Sequence, residues 1–118
     1  MGVFTIELEI GDPQATRFER VSALVDTGAS HTSLPASMLR NLGVTPHDRG
    51  RFQLANGQIV LRDVGQTSVR LDGRIKATVV VFGDEGSMPL LGAVTLGEFR
   101  LGVDPVAQKL VEVTAYLT

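Results

Sequence analysis

Residues 21–25, Val-Ser-Ala-Leu-Val, run straight into Asp26-Thr27-Gly28-Ala29. An apolar run of strand length that stops on a carboxylate and a glycine turn leaves few options. It predicts a buried strand that delivers one aspartate to a turn at its end. Gly28 permits a positive φ or a close backbone approach at that turn. Backbone N–H groups there can hydrogen-bond a carboxylate, and Thr27 adds a hydroxyl.

The flanking sequence predicts a chain made mostly of strands. Residues 3–10 alternate, with Phe4, Ile6, Leu8 and Ile10 set against Val3, Thr5, Glu7 and Glu9, the period of a half-buried strand. Gly11-Asp12-Pro13 breaks it, and a strand over residues 18–25 pairs back antiparallel. Residues 33–43 predict a short helix, with Pro35 in its first turn, Gly43 as its stop, and Leu34, Met38, Leu39 and Leu42 on one face. Asn56-Gly57 between apolar flanks predicts a hairpin with a type I′ turn, which needs positive φ at both central residues. Strands over 64–71 and 74–82 meet at Asp72-Gly73. Residues 83–87 form a polar loop. Leu90-Leu91-Gly92 predicts a short buried strand ending in a close backbone approach, followed by a short helix over 93–99. Strands over 101–104 and 109–113 follow, and the tail, 114–118, is apolar enough to pair with something.

Composition narrows the function classes. The chain of 118 residues, 43% hydrophobic and 20% charged, predicts one globular domain over 1–118. Thirteen glycines and five prolines add to the all-β bias. A net charge of −2 predicts no nucleic-acid partner. The absence of cysteine removes disulfides, thiol catalysis and cysteine-ligated metals, and is compatible with a cytoplasmic location. The N-terminus has no basic head and no long apolar run, so no signal peptide is expected. No stretch is long and apolar enough for a helical membrane span.

With these pieces in order, the chain resembles the retropepsin-like aspartic proteases, the single-domain relatives of pepsin and of the retroviral proteases, and in particular the small microbial members. The features that carry the resemblance are Leu24-Val25-Asp26-Thr27-Gly28-Ala29, the hairpin at Asn56-Gly57 some thirty residues on, and Leu90-Leu91-Gly92 followed by a helix. It covers residues 3–113. It implies an all-β, closed acid-protease barrel with one or two short helices. It implies that Asp26 is the catalytic aspartate, that the Thr27 hydroxyl reaches across a dimer, and that Gly28 lets the loop approach its twin. It implies that Ala29 and the flap residues Asn56, Gly57, Gln58 and Ile59 meet a peptide substrate, and that Leu91 and Gly92 support the loop. Apolar pockets would be lined from around Leu24, Ile59, Val81 and Leu90. No cofactor or metal is implied. The sequence departs from the retroviral pattern at Ser30, where many members are acidic, and at Ala93, where many are basic. The catalytic loop therefore carries over, but the charge network of the family's dimer interface does not.

The implied chemistry needs two carboxylates sharing one proton, one to activate water and one to protonate the scissile carbonyl. This chain carries a single Asp-Thr-Gly, so the site calls for a homodimer with Asp26 from each copy near the axis. Ala29 lacks the hydroxyl that pepsin-like members often place there. With one hydrogen bond fewer to the ionised form, the pair's pKa should lie higher and the activity closer to neutral pH than pepsin's. The competing reading is a catalytically silent module of the same fold that binds peptides or mediates assembly. A Ser30–His31 nucleophile pair is set aside, because adjacent side chains seldom face each other and no third group is evident. His47 reads as a solvated loop residue, Asp104 as a turn residue, and Asp84-Glu85 as a solvated loop. Arg49 and Arg51, near the flap base, could meet an acidic substrate residue.

Overall fold

A computed structural model describes residues 2–117; Met1 and Thr118, the last residue of the predicted tail, lie outside the described residues. Nine strands and two short helices follow in the order β1 (Gly2–Gly11), β2 (Phe18–Asp26), β3 (Thr32–Pro35), α1 (Ala36–Asn41), β4 (Asp48–Gln53), β5 (Ile59–Leu71), β6 (Arg74–Gly83), β7 (Leu90–Leu91), α2 (Ala93–Glu98), β8 (Leu101–Asp104) and β9 (Lys109–Glu112).

Seven strands form one sheet in the order β1-β2-β7-β3-β6-β5-β4. A further pairing of β1 with β5, at Glu9–Arg70 and Ile10–Val69, closes the first six into a ring. β4 stands outside it, held on β5 alone. β8 and β9 form a separate antiparallel hairpin. The period-two expectation for β1 holds: Leu8 and Ile10 are buried and Thr5 and Glu7 are exposed. These inward residues meet Val25, Leu34, Val69, Val80 and Leu91 from the other strands, Leu39 from α1, and Leu96 from α2 with the adjoining Phe99. The fold is mostly β, as the sequence predicts.

The first turn of the predicted helix is instead a strand. Residues 32–35 run parallel to β6, from Thr32–Val80 to Pro35–Gly83, and touch β7 at Ser33–Leu90. Those partners lie some fifty residues away, beyond what local periodicity reports. Pro35 then precedes α1 without a side-chain cap, and Gly43, the expected stop, is left-handed with φ +79°.

The two glycine turns also differ from each other. Asp72 and Gly73 have φ of +55° and +72°, as a two-residue β5–β6 hairpin requires. At the β4–β5 tip only Gly57 is left-handed, φ +87°. The Gly57 N–H donates to Leu54 O (2.9 Å) and the Leu54 N–H to Gln58 O (2.8 Å). The tip is therefore a three-residue loop with the glycine at its bulge, not a type I′ turn. The Asn56 side chain accepts from the Gln58 N–H at 2.9 Å, which stabilises the longer loop locally. The tail beyond β9 forms no strand as far as residue 117.

Candidate active site

β2 ends at Asp26, which is partly buried at the mouth of the ring. The Gly28 N–H donates to Asp26 Oδ1 at 2.9 Å, and the Ala29 N–H donates to the Asp26 carbonyl at 3.1 Å. An N–H aimed at a carboxylate oxygen favours its ionised form. Thr27 and Gly28 are exposed at the turn. Positive φ among the described glycines falls at Gly43, Gly57, Gly73 and Gly86, so Gly28 serves this turn without it.

The loop is clamped from the late part of the chain. The first N–H groups of a helix have no partner within it, and α2 has no side-chain cap. Its Ala93 and Val94 N–H groups donate instead to the carbonyls of Ala29 and Ser30, each at 2.9 Å. The Gly92 N–H donates to Thr32 Oγ1 at 3.1 Å. The Thr32 hydroxyl bonds that of Thr95, which bonds that of Thr78 at 3.0 Å, all three buried. A Cβ on Gly92 would lie 2.4 Å from the carbonyl carbon of His31. The close approach predicted at Gly92 is thus an approach to the loop that follows Asp26. The three threonines share no sequence period and were not legible as a group.

Beside the loop opens a cleft of ≈ 430 Å³. Its walls include Gly28, Ala29, Ser30 and His31 from the loop, Phe52 and Leu54 from β4 and its tip, Val60 and Arg62 from β5, and Val81, Met88 and Leu90 opposite. Of the apolar residues expected here, Val81 and Leu90 line the cleft and Leu24 and Ile59 do not. Leu24 lies in β2 in register with Leu90. Ile59 is 54% exposed and alternates with the cleft-facing Val60. Ala29 is on the wall, while Asn56, Gly57 and Gln58 stand at the exposed tip and outside the walls.

Ser30 and His31 do face each other. Ser30 Oγ lies 2.8 Å from His31 Nδ1, which overturns the expectation for adjacent side chains. The His31 ring stands edge-on to Phe52, centroids 5.4 Å apart, so it joins the loop to β4. No carboxylate orients it among the described residues, and its serine bond is through Nδ1. The pair serves as a wall of the cleft.

Asp84 and Glu85 are exposed, as expected, but each has a partner. Asp84 Oδ2 lies 2.9 Å from Arg62 Nη2. Glu85 accepts from the Ser37 hydroxyl and, at 2.9 Å, from the Ser37 N–H. These bonds, the hydroxyl first, hold its carboxyl below the ordinary range. Asp104 accepts the N–H groups of Val106 and Ala107, each at 3.1 Å, and is the expected turn residue. His47 is exposed. Far from the cleft, buried Asp12 holds the β1–β2 loop. Its carboxylate accepts the N–H of Arg17 (2.8 Å) and both the N–H and hydroxyl of Thr16 (2.7 Å each).

A family model for aspartyl proteases matches residues 6–104. The fold is similar to that of simian foamy virus (mac) protease: TM-score 0.56, 21% identity, over 80% of this chain and 93% of that one. It is similar to the retroviral protease-like domain of Ddi1 from Leishmania major: TM-score 0.56, 20% identity, 93% and 89% covered. It is also similar to a retropepsin-like aspartic protease from Rickettsia conorii: TM-score 0.50, 23% identity, 86% and 83% covered. No curated protein matches the chain by sequence. No helix among the described residues is long and apolar enough to cross a membrane.

Proposed function

This chain belongs to the aspartyl protease family, and from that membership we propose that it is an aspartic endopeptidase that works as a homodimer. The observation that carries the reading is the placement of Asp26. The carboxylate sits at the end of β2 with a backbone N–H on one oxygen, and the loop that follows it is clamped by α2 and lines an open, largely apolar cleft from Gly28 to His31.

In this reading Asp26 from each copy meets at the two-fold axis, with Thr27 and Gly28 packing the two loops together. The two carboxylates hold one proton between them, because close like charges resist double ionisation. The ionised one takes a proton from water as the water oxygen bonds to the scissile carbonyl carbon. The protonated one gives its proton to the carbonyl oxygen. The tetrahedral intermediate then collapses, the C–N bond breaks, and a proton passes to the departing amine. The substrate is an extended peptide held by strand-like hydrogen bonds, with Ala29 on the floor and Asn56, Gly57, Gln58 and Ile59 closing over it as a flap. Residues 1–118 act as one domain, without a cofactor, and a cytoplasmic place of work is compatible with the lack of cysteine.

One observation favours a second reading. Ser30 and Ala93 carry no charge where retroviral members pair an acid with a base, which supports a silent peptide-binding or assembly module. Cleavage of a mixed peptide library across acid to neutral pH separates the two. Wild type is expected to cleave, with a pH profile closer to neutral than pepsin's, and Asp26→Asn to lose at least about 10³-fold in kcat, as removing a group that acts only in the transition state does. An Asp26→Asn protein that cleaves like wild type would remove Asp26 as the catalyst, and a wild-type dimer that cleaves nothing would favour the silent module.

A further inference from the structure

We infer that the cleft selects peptides with an acidic side chain, and that Arg62 is the residue that reads it. The inference rests on the peptide-binding part of the reading above and not on catalysis.

β4 and β5 pair directly across from one another, so opposite residues share a face. Gly50 faces Arg62, Phe52 faces Val60, and Arg51 faces Leu61. Val60, Phe52 and Arg62 belong to the face turned to the cleft. Arg51 and Leu61 belong to the other face, where Leu61 is 51% exposed. Of the arginines expected from sequence to meet an acidic residue, Arg49 is taken up by Asp63 at 3.2 Å and stands outside the cleft walls, whereas Arg51, though in register with the outward Leu61, is among the residues that line the cleft. Arg51 and Arg62 are the two arginines on the cleft wall, and Arg62 is the one whose strand position turns it to the inner face. Its cross-strand neighbour, Gly50, brings no side chain of its own to the pair, and the Phe52 ring lies against that glycine.

The state of Arg62 fits a binding group. Its side chain is 24% exposed, so it is partly withdrawn from water and its field is less screened than at the open surface. Nη1 donates to Leu61 O at 2.9 Å and Nη2 to Asp84 at 2.9 Å. Asp84 thus takes the guanidinium through one nitrogen only, from a side chain that is 71% exposed. A single contact to an exposed loop carboxylate is weak, and it leaves fork donors unused where a carboxylate binds best through two. An incoming Glu or Asp side chain can share the fork or displace Asp84 into solvent. Much of the remaining lining suits an extended peptide: Val60, Val81, Leu90 and Phe52 are apolar, and Ser33 and Ser87 are uncharged. Asp84 is then the resident competitor that occupies Arg62 while the cleft is empty.

The test uses binding, so that it succeeds or fails apart from cleavage. Extended peptides carrying Glu, Gln or Lys in turn at each position are titrated by fluorescence anisotropy against full-length Asp26→Asn protein. Glu at one position is expected to bind at least about tenfold tighter than Gln. Adding Arg62→Met should erase that preference, Arg62→Lys should restore part of it, and Asp84→Asn, which leaves Arg62 in place, should raise the affinity for Glu peptides about threefold. Thermal unfolding of each variant verifies its fold. A charge-blind cleft, a preference for Lys, no binding of any Glu peptide, or a Glu preference that survives Arg62→Met would each overturn the inference. Loss or retention of cleavage in the Asp26→Asn protein bears on the peptidase reading alone.

Discussion

Among the described glycines, Gly92 is the one whose side chain would be driven hardest against main chain. Its Cα faces the backbone of His31, and the contacts a side chain would make are with main-chain atoms that cannot rotate away. Gly92→Ala should therefore push on the loop after Asp26, at a cost on the order of 1–3 kcal/mol, the range for overpacked sites. The checks are a urea unfolding curve and kcat, and both are expected to fall. An alanine variant with wild-type stability and activity would mean that the loop yields freely, and the clamp would lose its role. Asp12 shows the opposite design, a buried charge fully used. The Arg17 N–H, then the Thr16 hydroxyl, draw its pKa from 3.8 to about 2 against the cost of burial. A carboxyl with a depressed folded pKa contributes stability that is present above its unfolded value and is lost as pH falls through the folded one. Its contribution should fade between about pH 4 and pH 2. In Asp12→Asn the acid limb of a stability–pH curve should be shallower over that window, and an unchanged limb would refute the assignment.

Elements were legible where their signal is local and hidden where their partners are distant. The alternation of β1, the apolar run of β2 and the Asp72-Gly73 turn could be read because each is dictated within a few residues. β3 could not be. Its four residues, Thr-Ser-Leu-Pro, are a strand because β7 and β6 flank them, and α1 is correspondingly shorter than its apolar face suggested. The tip of β4–β5 was misread in type because an Asn-Gly pair serves two loop lengths equally well. The threonine chain and Arg62–Asp84 join residues through tertiary geometry. The start of α1 shows the same dependence. Pro35 offers it no side-chain cap, and Glu85, nearly fifty residues away, accepts from Ser37 in its place. Removing that acceptor by Glu85→Ala should leave the ring intact and free the 84–87 loop. The expected result is faster hydrogen exchange at the Ser37 amide with little change at the β5 and β6 amides. Acid should lower the protection of the Ser37 amide relative to its intrinsic exchange rate in wild type, since the Glu85 carboxyl is held low by Ser37 and its contribution is lost as pH falls through that lowered value. Unaltered Ser37 exchange in Glu85→Ala would show that α1 does not depend on the loop.

At the scale of the whole molecule the constraint is arithmetic: one Asp-Thr-Gly per chain, against two carboxylates in the reaction proposed for it. Fold likeness at about 20% identity gives the architecture and no activity, so the assembly has to be tested directly. If the active species is a dimer, the rate should rise with the square of protein concentration well below the dimer dissociation constant and linearly above it. The interface chemistry adds a second expectation. Ser30 bonds His31, and Ala93 gives its N–H to Ala29, so neither position offers the ion pair found in retroviral members. Salt screens charge–charge attraction and leaves apolar burial intact or strengthened. An interface without that network should therefore lose less than about threefold in affinity between low and high salt, by sedimentation and by the concentration dependence of the rate. A tenfold or larger weakening would mean that other charges have taken the place of the missing pair. A rate that stays proportional to concentration at every dilution would remove the dimer, and with it the second Asp26.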